Sequence, residues 1–265
     1  MYKVGFIGCG NMGGALLKRI VKNIGGENVC VCEKDLLKTK PFTDEGVTVL
    51  DIKDVVLNSK YVFFAVKPQV LKEVISSFSE VLENDCNTIF ISMCAGININ
   101  SVESFLKVNS KVIRIMPNLP CLVESGVILY TLNNNILENE KREFLSLLEG
   151  VGLVDSISED KIDIASVVSG CGPAFVYMFI DAISKSATKF GLDSEKAILY
   201  TIKTLQGASK LASSSDENLE TLISNVCSPK GTTIEGVESL KEDEFSKIIE
   251  KAIKKSYDRC IELSK

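Results

Sequence analysis

The chain has 265 residues, 45% of them hydrophobic and 25% charged, with a formal net charge of −5. That length allows one large or two modest domains, and the composition is that of an ordinary globular protein. The acidic balance and the lack of any basic run argue against a nucleic-acid partner.

Lys3 to Ile7 reads as a buried strand, entered at once, with no basic leader or small-residue cleavage site before it. The expectation is a cytoplasmic protein. Gly8-Cys9-Gly10-Asn11-Met12-Gly13 follows. After it, Leu16, Leu17, Ile20, Val21 and Ile24 mark one face of a helix that Gly25-Gly26 stops. A glycine motif between a strand and a helix is the setting of a dinucleotide cradle. Gly8 permits the tight turn, Gly10 lets the backbone approach a pyrophosphate, and Gly13 lets helix and strand pack closely. The N–H groups near Asn11 and Met12 would face the phosphates.

Val29 to Cys32 is a second strand. Glu33 lies where an acid would bind the ribose 2′-hydroxyl of NAD, and Lys34 is placed to neutralise the 2′-phosphate of NADP. The cofactor is therefore NADPH or NADH, and the two residues leave the choice open. Cys30 and Cys32 share a strand face. The nine cysteines form no C-x-x-C pair and the chain has no histidine, so we expect buried thiols in a reducing compartment and no metal site.

Tyr61 to Val66 is a third strand, ending in Ala65-Val66-Lys67-Pro68, with Pro68 suited to the first turn of the amphipathic helix that follows. Thr88 to Met93 leads into Cys94-Ala95-Gly96, small residues against which a nicotinamide ring can lie. Lys111 to Ile115 leads into Met116-Pro117-Asn118-Leu119-Pro120, and Gly126 to Leu132 completes the series. Arg114 can serve the site or pair with a structural carboxylate. Strands alternating with helices predict βαβ units and a mostly parallel sheet, whose ligands sit beyond the strands' carboxyl ends.

From about Asp160 the patterns are helical. We expect a nucleotide-binding domain over 1–157 and a helical domain over 158–265. Pro173 to Phe190 is apolar on nearly every face, which calls for burial all round. About 100 residues can hardly enclose it, so a second subunit is expected to cover it. Its longest apolar run, Ala174 to Ile180, is too short to span a bilayer. Further helices are expected over Ser194 to Ala212 and from Glu244 almost to the end. Between them, Ser228-Pro229-Lys230-Gly231-Thr232-Thr233-Ile234-Glu235-Gly236 makes a turn that opens a helix. Its backbone N–H groups and hydroxyls suit a small anion, or the hydroxyls simply cap the helix.

Taken together, Phe6 to Gly13, Ala65 to Pro68, Ala95-Gly96, Met116 to Asn118, Gly170-Cys171-Gly172-Pro173-Ala174-Phe175 and Ser228 to Thr233 resemble the pyrroline-5-carboxylate reductases over essentially the whole chain. The last two segments, in this order, are the specific ones. The resemblance implies a Rossmann-type dinucleotide-binding domain, then an all-α domain that interlocks with its twin, and often a pentamer of dimers. It implies hydride transfer from the nicotinamide to C5 of 1-pyrroline-5-carboxylate, giving L-proline. Thr233 corresponds to the family's threonine near the ring nitrogen. Ser228, with the N–H groups of Gly231 and Thr232, would hold the carboxylate. The family pattern has Thr at Leu119, Ser at Cys171, Tyr at Phe175 and Gly at Lys230. Lys230 puts a positive charge in the substrate turn: either it is strained at positive φ, or its charge attracts a carboxylate. A β-hydroxyacid dehydrogenase would carry a catalytic lysine on the helix from Pro173, where none comes before Lys185.

Overall fold

The structure, a computed structural model, describes residues 1–82, 87–106 and 109–263. Cys86, one of the nine cysteines, lies outside these. The chain divides into two compact units: Met1–Cys171 with Ser256–Lys265, and Gly172–Lys255.

The first unit is built on eight strands: β1 (Tyr2–Ile7), β2 (Val29–Cys32), β3 (Thr48–Val49), β4 (Ser59–Phe64), β5 (Ile89–Ser92), β6 (Lys111–Pro117), β7 (Gly126–Leu132) and β8 (Gly152–Ser156). They form one sheet in the order β3-β2-β1-β4-β5-β6-β7-β8. All pairs are parallel except β6 with β7. The helices are α1 (Asn11–Ile24), α2 (Leu36–Thr43), α3 (Ile52–Leu57), α4 (Pro68–Ser76), α5 (Ile99–Leu106), α6 (Glu138–Leu147) and α7 (Glu159–Ser166). Strands buried on both faces read as continuous apolar runs, and β4 divides its side chains accordingly. Tyr61 and Phe63 join Leu16, Leu17 and Ile20 of α1 and Phe144 of α6. Val62 and Phe64 join Val55 of α3, Leu71 and Ile75 of α4 and Val102 of α5. The result is a sheet between two helical layers.

Reversal of the chain between strands 1 and 4 places the ends of β1, β4, β5 and β6 at one edge, the usual ligand side of such a sheet. Behind that edge Arg114, only 2% exposed, pairs with Asp163 and lies 3.6 Å from Glu159. Its role is thus structural, tying β6 to α7. The Cys260 thiol near the C-terminus is raised by burial first, then by the Asp163 carboxylate, against the opposing effect of Arg114. Seven thiols, Cys9, Cys30, Cys32, Cys94, Cys121, Cys171 and Cys227, are free of disulfides.

The second unit holds α8 (Gly172–Lys189), α9 (Ser194–Ser214), α10 (Leu219–Asn225), α11 (Thr232–Glu242) and the start of α12 (Phe245–Leu263). A π-helical turn at Val167–Cys171 precedes α8. The buried residues of α8 and α9 are Ser184, Ala197 and Thr201 alone. Tyr177, Met178, Leu199, Tyr200 and Phe190 are more than half exposed. One expectation is corrected here. Residues Glu159–Lys189 form a helical stretch of 31 residues, long and apolar enough by length and composition to cross a bilayer, with 17% of its apolar window buried. Counting only the unbroken run 174–180 missed this, because a helix continues through isolated charges such as Asp181 and Lys185.

Candidate active site

At the β1 end, the three motif glycines answer to three different demands. Gly8 has φ +97°, and a Cβ there would stand 2.6 Å from the Ala65 carbonyl oxygen. A Cβ on Gly13 would stand 2.7 Å from the Ala65 Cβ. Both glycines are fixed by the protein's own packing. Gly10 is not: a Cβ there would meet nothing within 4 Å. Gly10 is also the N-cap of α1 and supplies no side-chain cap, so the first N–H groups of the helix have neither an intrahelical nor a capping partner. Open space over a glycine, beside orphaned donors at the positive end of a helix, fits a dinucleotide pyrophosphate. Asn11 is exposed there, and Met12 packs partly against the core.

Glu33, at the end of β2, is half-buried. Its Oε2 accepts the Cys9 N–H at 2.6 Å and its Oε1 accepts the Asp35 N–H at 3.1 Å. Burial works to raise its carboxyl, but the bonds from Asp35 and Cys9 and the Lys38 charge prevail and hold it below the usual range. Lys34 is exposed. The Cys9 thiol is pushed up to about 11, by burial first and then by Glu33, against Lys38.

The neighbouring strand ends carry the other candidate residues. Ala65 N–H donates to Ile7 O at 2.9 Å, and Val66 is half-buried. Lys67 is exposed as the N-cap of α4, with Pro68 as its first residue. Cys94 is fully buried; its thiol donates to the Val66 carbonyl at 3.4 Å and is pushed up to about 11 by burial, with Ser92 opposing. Ala95 and Gly96 follow, Gly96 at φ +75°. Pro117 ends β6, half-buried. The Asn118 side chain is engaged within the unit, donating to Ser169 O at 2.9 Å and accepting the Val127 N–H at 2.8 Å. It therefore fixes the loop shape rather than pointing out as a ligand. The sequence reading missed this because Ser169, 51 positions away in the π-turn, has no local signal. The cavities near Glu103 and near Glu124 do not involve any of these residues.

In the second unit, Gly231 N–H donates to Ser228 O at 2.9 Å, closing a four-residue turn with Pro229 second and Lys230 third. Lys230 has φ +55°. A turn with proline second and positive φ third ordinarily calls for glycine third, which accounts for the family pattern and realises the strained alternative for this lysine. Because its N–H is used by the turn, Gly231 cannot lend it to an anion, contrary to the sequence expectation. Gly231 is required for another reason: a Cβ there would run into the Ser228 hydroxyl. It is also the N-cap of α11, again without a side-chain cap. The donors left at this end are the N–H groups of Thr232, Thr233 and Ile234, with the exposed Ser228 and Thr233 beside them.

Of the three residues where the chain departs from the family pattern elsewhere, Leu119 is 45% exposed, while Cys171 and Phe175 are half-buried.

A family profile described as pyrroline-5-carboxylate reductase dimerisation matches residues 159–263, and one described as NADP oxidoreductase, coenzyme F420-dependent, matches residues 3–96. The pyrroline-5-carboxylate reductase of Aquifex aeolicus is 34% identical over 262 residues, covering 98% of this chain and 97% of the relative. The crystal structure of Plasmodium falciparum pyrroline carboxylate reductase with NADP bound is similar at a TM-score of 0.91 and 27% identity, covering 100% of this chain and 98% of that one. The pyrroline-5-carboxylate reductase of Coxiella burnetii has a TM-score of 0.89 at 30% identity, covering 100% of this chain and 99% of that one.

Proposed function

The chain belongs to the pyrroline-5-carboxylate reductase family, and from that premise we propose how its own residues carry the reaction. The protein is an NAD(P)H-dependent oxidoreductase acting on a C=N bond, reducing 1-pyrroline-5-carboxylate to L-proline in proline biosynthesis. When bound, the reduced nicotinamide supplies the hydride that goes to C5 of the ring.

The Gly10 backbone and the N–H groups at Asn11 and Met12 hold the pyrophosphate. Glu33 and Lys34 meet the adenosine ribose. The backbones of Ala65, Val66, Lys67 and Pro68, of Cys94, Ala95 and Gly96, and of Pro117 and Asn118 form the shelf toward the nicotinamide. The Thr232 and Thr233 N–H groups, the Ser228 hydroxyl and the Lys230 ammonium hold the substrate carboxylate, and Gly231 leaves room for the Ser228 hydroxyl.

The absence of histidine is consistent with this chemistry. A carbonyl reductase must protonate an emerging alkoxide. A cyclic imine binds already protonated, and hydride addition neutralises it. The product amine then needs a hydrogen-bond partner, and the Thr233 hydroxyl is assigned that place. Catalysis is chiefly positioning of the two reactants.

One observation carries the reading. Asp35, Asp51, Asp193 and Asn218 cap their helices with side chains, whereas α1 and α11 begin at glycines that cap nothing. In the first unit the starts of α4 at Lys67 and α7 at Ser158 also lack a side-chain cap, but α1 and α11 are the ones with glycine at the cap, where backbone N–H groups can meet an anion. The exposed apolar surface of α8 and α9 is assigned to a second copy rather than a bilayer, since it falls within the dimerisation match. The protein is a homo-oligomer; five interlocked dimers in one particle, in the cytoplasm, complete the proposal.

The test follows nicotinamide absorbance when 1-pyrroline-5-carboxylate is added. Wild-type protein is expected to oxidise the cofactor rapidly. Thr233→Ala is expected to lower turnover by roughly 10- to 1000-fold, about 1.4–4 kcal/mol for a lost positioned hydrogen bond. Unchanged turnover in that variant would remove Thr233 from the mechanism.

A further inference from the structure

The end of β2 is filled with acceptors, and its donors are already used. Glu33 Oε2 takes the Cys9 N–H and Oε1 takes the Asp35 N–H. The α2 N-terminus, the other natural seat for a phosphate, is capped by Asp35, whose Oδ1 accepts the Leu37 N–H at 3.1 Å. The Lys38 N–H donates to Asp35 O at 3.0 Å, and the Lys38 ammonium lies 3.6 Å from Asp35 Oδ2. Lys34 and Lys38 are both exposed cations here, Lys38 paired with Asp35 and Lys34 lying between two carboxylates in sequence.

A 2′-phosphate is a dianion that brings only acceptors, so it needs donors and positive charge. A ribose 2′-hydroxyl brings a donor and needs an acceptor. The carboxylate offers about four lone-pair sites, and the backbone N–H groups of Asp35, Cys9 and Lys34 act on it, which leaves an acceptor site over. Direct bonds to Cys9 and Asp35 hold the carboxylate beside the glycine turn, the place from which an acid reads the ribose. The low carboxyl pKa keeps it charged at neutral pH.

We propose that Glu33 makes this reductase select NADH over NADPH, accepting the ribose 2′-hydroxyl and repelling the 2′-phosphate. The inference rests on the assignment of an NAD(P)H site at the glycine motif. It deepens that assignment by fixing which cofactor the site prefers.

The experiment is equilibrium binding without substrate, titrating the protein with NADH and NADPH and following cofactor fluorescence. ADP-ribose and its 2′-phosphate serve as competitors that lack the nicotinamide. NADH is expected to bind at least about 10-fold more tightly, from one like-charge contact near the surface. The competitors are expected to show the same ratio, which locates the effect at the adenosine end. In Glu33→Gln the ratio should approach one, chiefly through tighter NADPH binding. Equal or tighter NADPH binding by the wild-type protein would overturn the inference while leaving the reductase assignment intact. Binding of neither dinucleotide would overturn both. The wild-type comparison decides the matter even if Glu33→Gln fails to fold.

Discussion

The sheet unit and the helical unit solve the problem of burial differently. In the first, Phe6, Phe63, Phe64 and Phe90 are fully buried, with Phe6 and Phe63 stacked at 4.6 Å. Its core is closed by its own chain. In the second, α8 and α9 meet through small polar groups, Ser184 Oγ donating to Thr201 Oγ1 at 3.4 Å, while Tyr177 and Met178 remain 61% and 71% exposed. Exposed apolar surface on this scale marks an interaction face. The nucleotide-binding unit carries its own stability, and the helical unit completes its core with another copy. Each unit also carries one of the two anion cradles proposed above, so the proposal divides stability and chemistry along the same boundary.

The comparison is tested most severely at Arg114. Asp163→Ala would leave its guanidinium 2% exposed, with Glu159 3.6 Å away as the remaining partner. Removing one partner of a buried pair costs about 3–5 kcal/mol. Urea unfolding should show a loss of this size that does not vary with protein concentration; a concentration-dependent loss would mean that the sheet unit also relies on the second copy. The next largest effect is expected at Tyr177→Glu, which puts a charge on the apolar face of α8. A buried unpaired charge in an interface costs on the order of 2–5 kcal/mol. Light scattering should show smaller particles than the wild type at the same concentration, and an unchanged mass would place the interface elsewhere.

The smallest effect belongs to the turn before α11. A left-handed side chain costs about 1–2 kcal/mol, and glycine gives back about 0.4–1 kcal/mol through the unfolded chain. Lys230→Gly should therefore raise stability by roughly 0.5 kcal/mol while removing a cation from the carboxylate site. Higher stability together with a raised KM would show the lysine trading backbone strain for substrate affinity. Unchanged KM would leave its charge without a role.

Much of this was legible in the sequence because the signals are local. Strand β1, the glycine motif and α1 declare themselves through a run, a turn and a periodicity. The over-apolar α8 announced its need for a partner. Other elements gave little signal. Strand β3 has two residues, and β8 is mostly exposed, so neither shows an apolar run. Helix α2 carries Pro41 within it, and α3 has six residues. Pairings across the fold could not be read either: Glu33 with Cys9, Asn118 with Ser169 and Arg114 with Asp163 are 24, 51 and 49 positions apart. At the substrate turn, the sequence left two meanings for Lys230. Only the backbone angle, set by the turn that Gly231 closes on Ser228, reveals the strain, and it leaves the ammonium free to act on a carboxylate as well.

The chain's last residues, from Ser256 on, belong with its first 171 rather than with the helices that precede them. Synthesis runs from the amino end, so the nucleotide-binding unit, though begun first, is completed last. Until Cys260 emerges from the ribosome, the surroundings of Arg114 and Asp163 remain unfinished. A nascent chain halted before that point would hold a nearly formed sheet and an exposed apolar helix together. In that state it would need a chaperone, and damage to the segment from Ser256 on would reach a unit that begins at Met1.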